Sequence, residues 1–352
     1  EQRDAGAVAL DVADEGLGAG PQHGGLGALG DDPALADDHD VVGDHLDLMQ
    51  QVRGQQDRPA PLGVVAEQVA HPADALRVQA VGRLVEHQHR RVGQQRRRDP
   101  EALPHFYKLL EEGGLPSTTQ LNQIQYEEFF DELLQKGDVL HIAFGTGMTG
   151  SYNNAVAAAK LMREKYPDRK LSVIDSLCSC GGYGMFMDIL ADMRDAGASF
   201  DELETWALEN RLKIHHQFFS TDLKYFRRGG RVSGPVAMIG SILNICPIMH
   251  LDDKGKIIAY DKVRGKKNAI RRTVDVMVNH AEGGADYDGK CFLNHAHCPE
   301  DAAETVALVE EKFPKLKGKI VVNEIGTIIA SHTGPGTVSL YFIGDPRTAD
   351  FK

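Results

Sequence analysis

From about Leu103 onward, apolar and polar positions follow two periods in turn, which is the pattern of an α/β chain. Apolar residues around Phe129 to Leu134 predict an amphipathic helix over Ile124 to Gln135. The run Asp138 to Phe144 (DVLHIAF) has strand length and is bounded by Gly137 and Gly145. A glycine-rich turn, Gly145 to Gly150, opens an alanine-rich helix from Ser151 to about Lys165, and Lys170 to Asp175 (KLSVID) is the next strand. Helices are predicted at Gly182 to Ala196 and Phe200 to Leu212. Strands alternating with helices in this way imply right-handed crossovers and a parallel sheet covered on both faces.

A second unit begins near His215. Gln217 to Ser220 is predicted as a strand, followed by a helix, the segment RRGGRVSG and an apolar helix at Val236 to Leu243. Pro247 to Leu251 and Lys256 to Tyr260 flank Asp252-Asp253-Lys254-Gly255, a hairpin turn. A long helix over Lys266 to Ala281 precedes a strand at Lys290 to Asn294, a helix at Pro299 to Phe313, and strands at Lys319 to Asn323 and Val338 to Ile343. This order predicts a mixed sheet. The expected boundaries are 1–100 for an anomalous segment, 103–213 for a first α/β domain, 214–345 for a second and 346–352 for a tail.

Composition separates the first hundred residues from the rest. No Phe, Trp or Tyr precedes Phe106, and the first Lys, Ser, Asn and Ile are Lys108, Ser117, Asn122 and Ile124. Its charge is segregated, acidic over Asp31 to Asp47 and basic over Arg83 to Arg98. Without aromatics or Ile there is little to fill a core and nothing that marks a strand, so the expectation is a disordered stretch with a transient helix near Leu62 to Val85. The missing residue types have mostly AT-rich codons, which points to a wrong-frame or antisense translation joined to a genuine gene. The rival is a low-complexity tail whose Arg-rich end touches nucleic acid.

For the whole chain, a net charge of −12 gives no support for a nucleic-acid or anionic-membrane surface. No apolar run reaches membrane-spanning length and no signal-peptide core opens the chain, so no stable membrane insertion is expected. The 5 cysteines, Cys178, Cys180, Cys246, Cys291 and Cys298, are an odd number and fit reduced thiols in the cytoplasm.

Candidate chemistry concentrates in loops. Gly145 to Ser151 follows a strand and opens a helix, so backbone N–H groups and the helix dipole can meet an anion, with Thr146 and Thr149 adding hydroxyls. A tight, hydroxyl-capped turn explains the same residues equally well. Thr118 and Thr119 read as ordinary helix-capping residues. His332 in Ser-His-Thr-Gly-Pro-Gly has no Gly-x-Ser-x-Gly elbow to serve, and a lone His is more often structural than catalytic. Arg228, Arg231 and Arg264 are the basic residues of interest, and such residues are usually solvated or in structural ion pairs. On a strand His295 and His297 would share a face beside Cys298, but no fourth ligand is evident, so no metal site is expected. Cys178-Ser179-Cys180 lacks the spacer of a redox pair and reads as buried thiols.

Four motifs in order resemble the DegV family. They are Pro116-Ser117-Thr118-Thr119-Gln120; Gly145-Thr146-Gly147-Met148-Thr149-Gly150-Ser151-Tyr152; Arg228-Gly229-Gly230-Arg231-Val232 with Leu243-Asn244-Ile245-Cys246-Pro247-Ile248 and Lys262-Val263-Arg264; and Glu324-Ile325-Gly326 with His332-Thr333-Gly334-Pro335-Gly336. The family's opening strand, with its Asp-Ser-Thr motif, is not visible. The resemblance implies a two-domain α/β fold, with a parallel-sheet first domain lacking its N-terminal strands and a mixed-sheet second domain.

It also implies a non-enzymatic protein of bacterial type that binds a long-chain fatty acid, with no cofactor, and serves as a possible non-catalytic subunit of a fatty-acid kinase. The carboxylate would meet Thr118, Thr119, Thr146, Thr149, His332 and Thr333, with Thr146 the stronger candidate in its turn. Arg231 and Arg264 would sit at the pocket mouth or dock the kinase. Ala237, Met238, Ile239, Ile242 and Leu243 would line the acyl chain. The alternatives are an enzyme acting on a small phosphorylated substrate, with His332 as acid or base, and a non-functional chimera whose first domain cannot close.

Overall fold

The computed structural model describes the strand backbone of Ala7–Leu10 together with residues 102–232 and 244–348. The rest of the compositionally odd segment lies outside the described residues, as does the helix expected over Val236 to Leu243.

The first sheet has the order β1-β2-β3, with β1 Ala7–Leu10, β2 Val139–Ala143 and β3 Leu171–Asp175, all parallel. The expectation that nothing in the odd segment forms a strand fails at β1. Its four apolar residues carry no aromatic or Ile to signal a strand, but the open edge of β2 offers a row of unpaired backbone groups to any short extended run. Helices α1 Ala102–Glu111 and α2 Gln123–Leu134 precede β2, and α3 Ser151–Lys165 crosses from β2 to β3. The α2 start is fixed by a capping box, in which Asn122 accepts from the Gln125 N–H and Gln125 accepts from the Asn122 N–H. Small Ala155, Ala158 and Ala159 on α3 let Tyr126 and Phe130 of α2 close over one face of the sheet.

Helix α4 Cys180–Asp195 and α5 Phe200–Asn210 lead into the second sheet. Its order is β6-β5-β4-β9-β7-β8, formed by β4 Ile214–Ser220, β5 Ile245–Leu251, β6 Ile257–Arg264, β7 Phe292–His295, β8 Val321–Glu324 and β9 Thr337–Ile343. Only β7 and β8 pair in parallel; the other neighbours are antiparallel, so the sheet is mixed as expected. Helices α7 Lys266–His280 and α8 Pro299–Lys312 cover one face. Short helices α6 Lys224–Arg228 and α9 Thr327–Thr333 pack against each other.

Helix α4 joins the two sheets. The Tyr183 hydroxyl donates to the Ile142 carbonyl of β2 at 2.9 Å. Its other side lies flat on the second sheet, where a Cβ at Gly181 would stand 1.8 Å from Asn294 Oδ1 and one at Gly182 2.2 Å from His216 Nε2. Leu140 and Ile142 thus share one hydrophobic cluster with Phe292 and Tyr341.

Three differences from the sequence reading bear on the site. The residues before and including His332 were expected to be loop, but they form α9, a helix too short and too weakly periodic to announce itself. His295 ends β7 while His297 lies beyond it with φ +51°, stacked on Tyr107, so the two do not share a strand face. Residues 346–352 were expected to be a tail, yet Arg347 is 1% exposed.

Several buried histidines are held neutral. Burial lowers His215 and His250 to about 4 and places His216 well below the ordinary value. His216 accepts from the Ser179 N–H through Nε2 at 3.1 Å, which leaves Nδ1 protonated to donate to the Ile214 carbonyl at 3.0 Å. Because the unfolded chain takes up protons near pH ~6.5 and the folded chain does not, stability is full above that pH and falls as pH drops toward about 4. Urea titrations should show this loss, at up to about 1.4 kcal/mol per pH unit for each histidine; a flat profile between pH ~7 and ~5 would contradict it.

Candidate functional site

Two connected spaces lie between the sheets. One is an open polar groove of about 600 Å³ lined by Thr118, Thr119, Gln120, Thr146, Gly147, Met148, Thr149, Gly150, Asn153, Gly230 and Arg231. The other is an apolar cavity. Its wall includes Phe144, Phe218, Phe226, Ile257, Ile325, Ile328, Ile329 and Tyr341. Met148 and Arg231 line both, so the groove leads into the cavity at these two residues.

The groove is built where the sequence motifs converge. The Thr118 hydroxyl lies 2.7 Å from His332 Nε2, which joins the loop before α2 to the last turn of α9. Gly229 makes room for that imidazole, since a Cβ there would stand 2.3 Å from Nδ1. Helix α3 begins at the groove with Gly150 as its N-cap and no side-chain oxygen bonded to the cap. Its positive end, four threonines and Arg231 line the groove, and no carboxylate does among the described residues. This is an environment for an anion.

The individual hydroxyls are not equivalent. Thr146 donates its hydroxyl to Asp175 Oδ2 at 2.5 Å and its N–H to Oδ1 at 3.2 Å, so its donors serve the loop itself. Thr149 donates to Gln120 Oε1 at 3.4 Å and accepts from the Ser151 N–H at 3.3 Å. Thr119 lines the groove. Thr333 faces the cavity instead, buried, and its hydroxyl finds no hydrogen-bond partner among the described residues. Arg231 donates to the Gly229 carbonyl at 2.5 Å and stands where groove and cavity meet.

Other expected residues fall elsewhere. Arg264 is exposed on β6 and lines neither space. Ala237, Met238, Ile239, Ile242 and Leu243 lie outside the described residues. The cavity wall that is described comes from residues the sequence reading passed over, chiefly alternate positions of β4 and β9 and the apolar residues of α9. Alternation along Ile214–Ser220 and Thr337–Ile343 was the available signal, but a core face has the same signature. Cys180 is on the wall with its thiol pushed up by burial, and Cys178 likewise, to about 12, so neither is a poised thiolate. Among the described residues no group of His, Cys, Asp and Glu is arranged to hold a metal ion, and no helix is long and apolar enough to cross a membrane.

Comparison with known proteins bears on the family and the fold. The model for the DegV family of uncharacterised proteins matches residues 93–345. A DegV domain-containing protein of Clostridium perfringens is 34% identical over 251 residues, covering 71% of this chain and 85% of that protein. One from Caldanaerobacter subterraneus is 34% identical over 239 residues, covering 67% and 82%. Among solved structures, a fatty acid binding DegV family protein from Streptococcus agalactiae aligns with TM-score 0.59 at 25% identity, over 69% of this chain and 84% of that one. The fatty acid kinase B3 protein of Streptococcus pneumoniae, loaded with linoleic acid, aligns with TM-score 0.62 at 20% identity, over 69% and 84%. A Eubacterium eligens DegV family protein loaded with heptadecanoic acid gives TM-score 0.61 at 22% identity, over 69% and 85%; at these last two identities the likeness speaks for the fold. With its two α/β domains and a family match over most of its length, this chain belongs to the DegV family.

Proposed function

We propose that this protein binds a long-chain fatty acid, with the carboxylate in the polar groove and the acyl chain in the apolar cavity, and performs no bond-making chemistry. The observation that carries the reading is the junction at Met148 and Arg231, where an anion-friendly groove opens into an apolar space. A single-headed amphiphile fits that division, and the ligands named for the Streptococcus and Eubacterium proteins are of this kind. Thr118, Thr119, Thr149 and His332 are the proposed carboxylate contacts, with Arg231 at the mouth supplying the positive charge. Thr146 acts one step removed, by fixing the loop through Asp175. Thr333 belongs with the acyl chain. Because the groove is open to solvent while the cavity lies beneath it, the head group would be presented to a partner such as a kinase, and Arg231 is placed to take part in that docking.

The test is a calorimetric titration with saturated fatty acids of increasing length. Each buried methylene contributes about 0.8 kcal/mol, so affinity should rise about fourfold per added carbon until the cavity is full. Affinity that does not change with chain length would rule out the cavity as the acyl site.

A further inference from the structure

Arg347 lies beyond the 93–345 stretch matched by the family model, in a polar C-terminal sequence, yet its guanidinium is fully buried at the junction of the domains. Its bonds go to four backbone carbonyls. Nη1 donates to Leu251 O at 3.3 Å and Asp252 O at 3.0 Å, and Nη2 donates to Leu177 O at 2.8 Å and Arg211 O at 3.2 Å. Leu251 and Asp252 end β5 and begin its hairpin turn, whereas Leu177 follows β3 of the first sheet and Arg211 follows α5.

From these carbonyls two routes lead to the same place. The Leu177 N–H donates to Asp175 Oδ1 at 2.9 Å, and that carboxylate holds both the N–H and the hydroxyl of Thr146. Leu177 itself sits at φ +54°, a left-handed conformation a leucine avoids unless held. Across the gap, Asp252 Oδ1 accepts from the N–H groups of Lys254 and Lys256 and so shapes the hairpin turn. That turn presses on the groove loop, since a Cβ at Gly147 would stand 2.1 Å from the Gly255 carbonyl oxygen. Both routes end at Thr146–Gly147, which line the groove.

We propose that Arg347 is a positioning residue for the head group: by clasping Leu177 and the β5–β6 turn together, it sets where the Thr146–Gly147 segment stands against the bound carboxylate. A planar fork with several fixed donors can satisfy four carbonyls at once; an ammonium with three donors at one point cannot. The inference rests on the fatty-acid reading above.

The experiment compares hexadecanoic acid with hexadecanol, which has the same chain but no carboxylate, on the full-length protein and on Arg347→Lys. Weakening of the acid by about tenfold, with the alcohol changed less than about twofold, is the expected result. Equal losses for both ligands would mean that Arg347 only supports the fold, and no loss for either would remove it from the site; both outcomes overturn the proposal. Should Arg347→Lys fail to fold, Gly255→Ala addresses the same route. Its φ is +69° and its added Cβ would stand 3.3 Å from Leu177 Cα, so the turn must move while the buried cation stays, and the same split between acid and alcohol must appear. Wild-type protein that binds neither ligand would instead overturn the fatty-acid reading itself.

Discussion

Ser339→Phe should abolish binding of a long-chain fatty acid, weakening it at least about a hundredfold, while the protein stays folded. Ser339 is buried in β9, paired in register with Phe218 of β4 and Asn294 of β7, and contributes to the cavity wall. A phenyl ring at this position projects into space that is already empty, so the strain is smaller than in a filled core, about 1–3 kcal/mol by comparison with overpacked sites. Ligand and ring then compete for the same volume. Ser339→Ala is the control and should bind as the wild type does. Calorimetric titration reads both, and an undiminished Kd for Ser339→Phe would mean that the acyl chain lies elsewhere.

Gly334→Ala should destabilise the protein by about 3 kcal/mol or more in urea unfolding. Gly334 follows α9 with φ +64° and ψ 179°, a conformation that is nearly confined to glycine. An added Cβ would also stand 1.9 Å from a ring carbon of Tyr225. That ring cannot swing aside freely, because its hydroxyl donates to the Leu110 carbonyl at 3.1 Å and so ties α6 to the end of α1. Backbone strain and ring displacement therefore add. Since His332 precedes Gly334 by two residues, any folded remainder should also have lost groove geometry. A cost below about 1 kcal/mol would show that the close packing at Gly334 is unimportant.

Much of the fold was legible because its signals are local. The helix read over Ser151 to Lys165 is the helix observed, since the glycine turn marks its start and basic residues close its last turn. The Asp252–Gly255 hairpin was read from turn chemistry alone, although β6 runs on to Arg264 where mixed charged residues on an edge strand hide the extended pattern. Helix α9 was missed because seven residues give too little periodicity, and with it went the helical placement of His332.

The site was legible where it is made of loop motifs. Thr118, Thr119, Thr146 and Thr149 stand in the loop motifs and all line one groove, and Thr118 meets His332 across 214 positions of sequence. The division of labour among them was not legible, because the Thr146–Asp175 bond joins residues 29 apart with nothing in the sequence to announce it. Neither was the cavity wall, since a wall around empty space and a wall around packed core carry the same apolar side chains. Arg347 left no trace at all: its partners are backbone carbonyls, which every residue has.

Native mass spectrometry of the purified protein, with the bound small molecule released and identified, tests the central claim most directly. A narrow distribution of low charge states carrying a fatty-acid adduct, absent from Ser339→Phe, is the result predicted by a cavity that holds an acyl chain. A compact wild-type protein with no adduct, and none acquired after incubation with fatty acid, would contradict it.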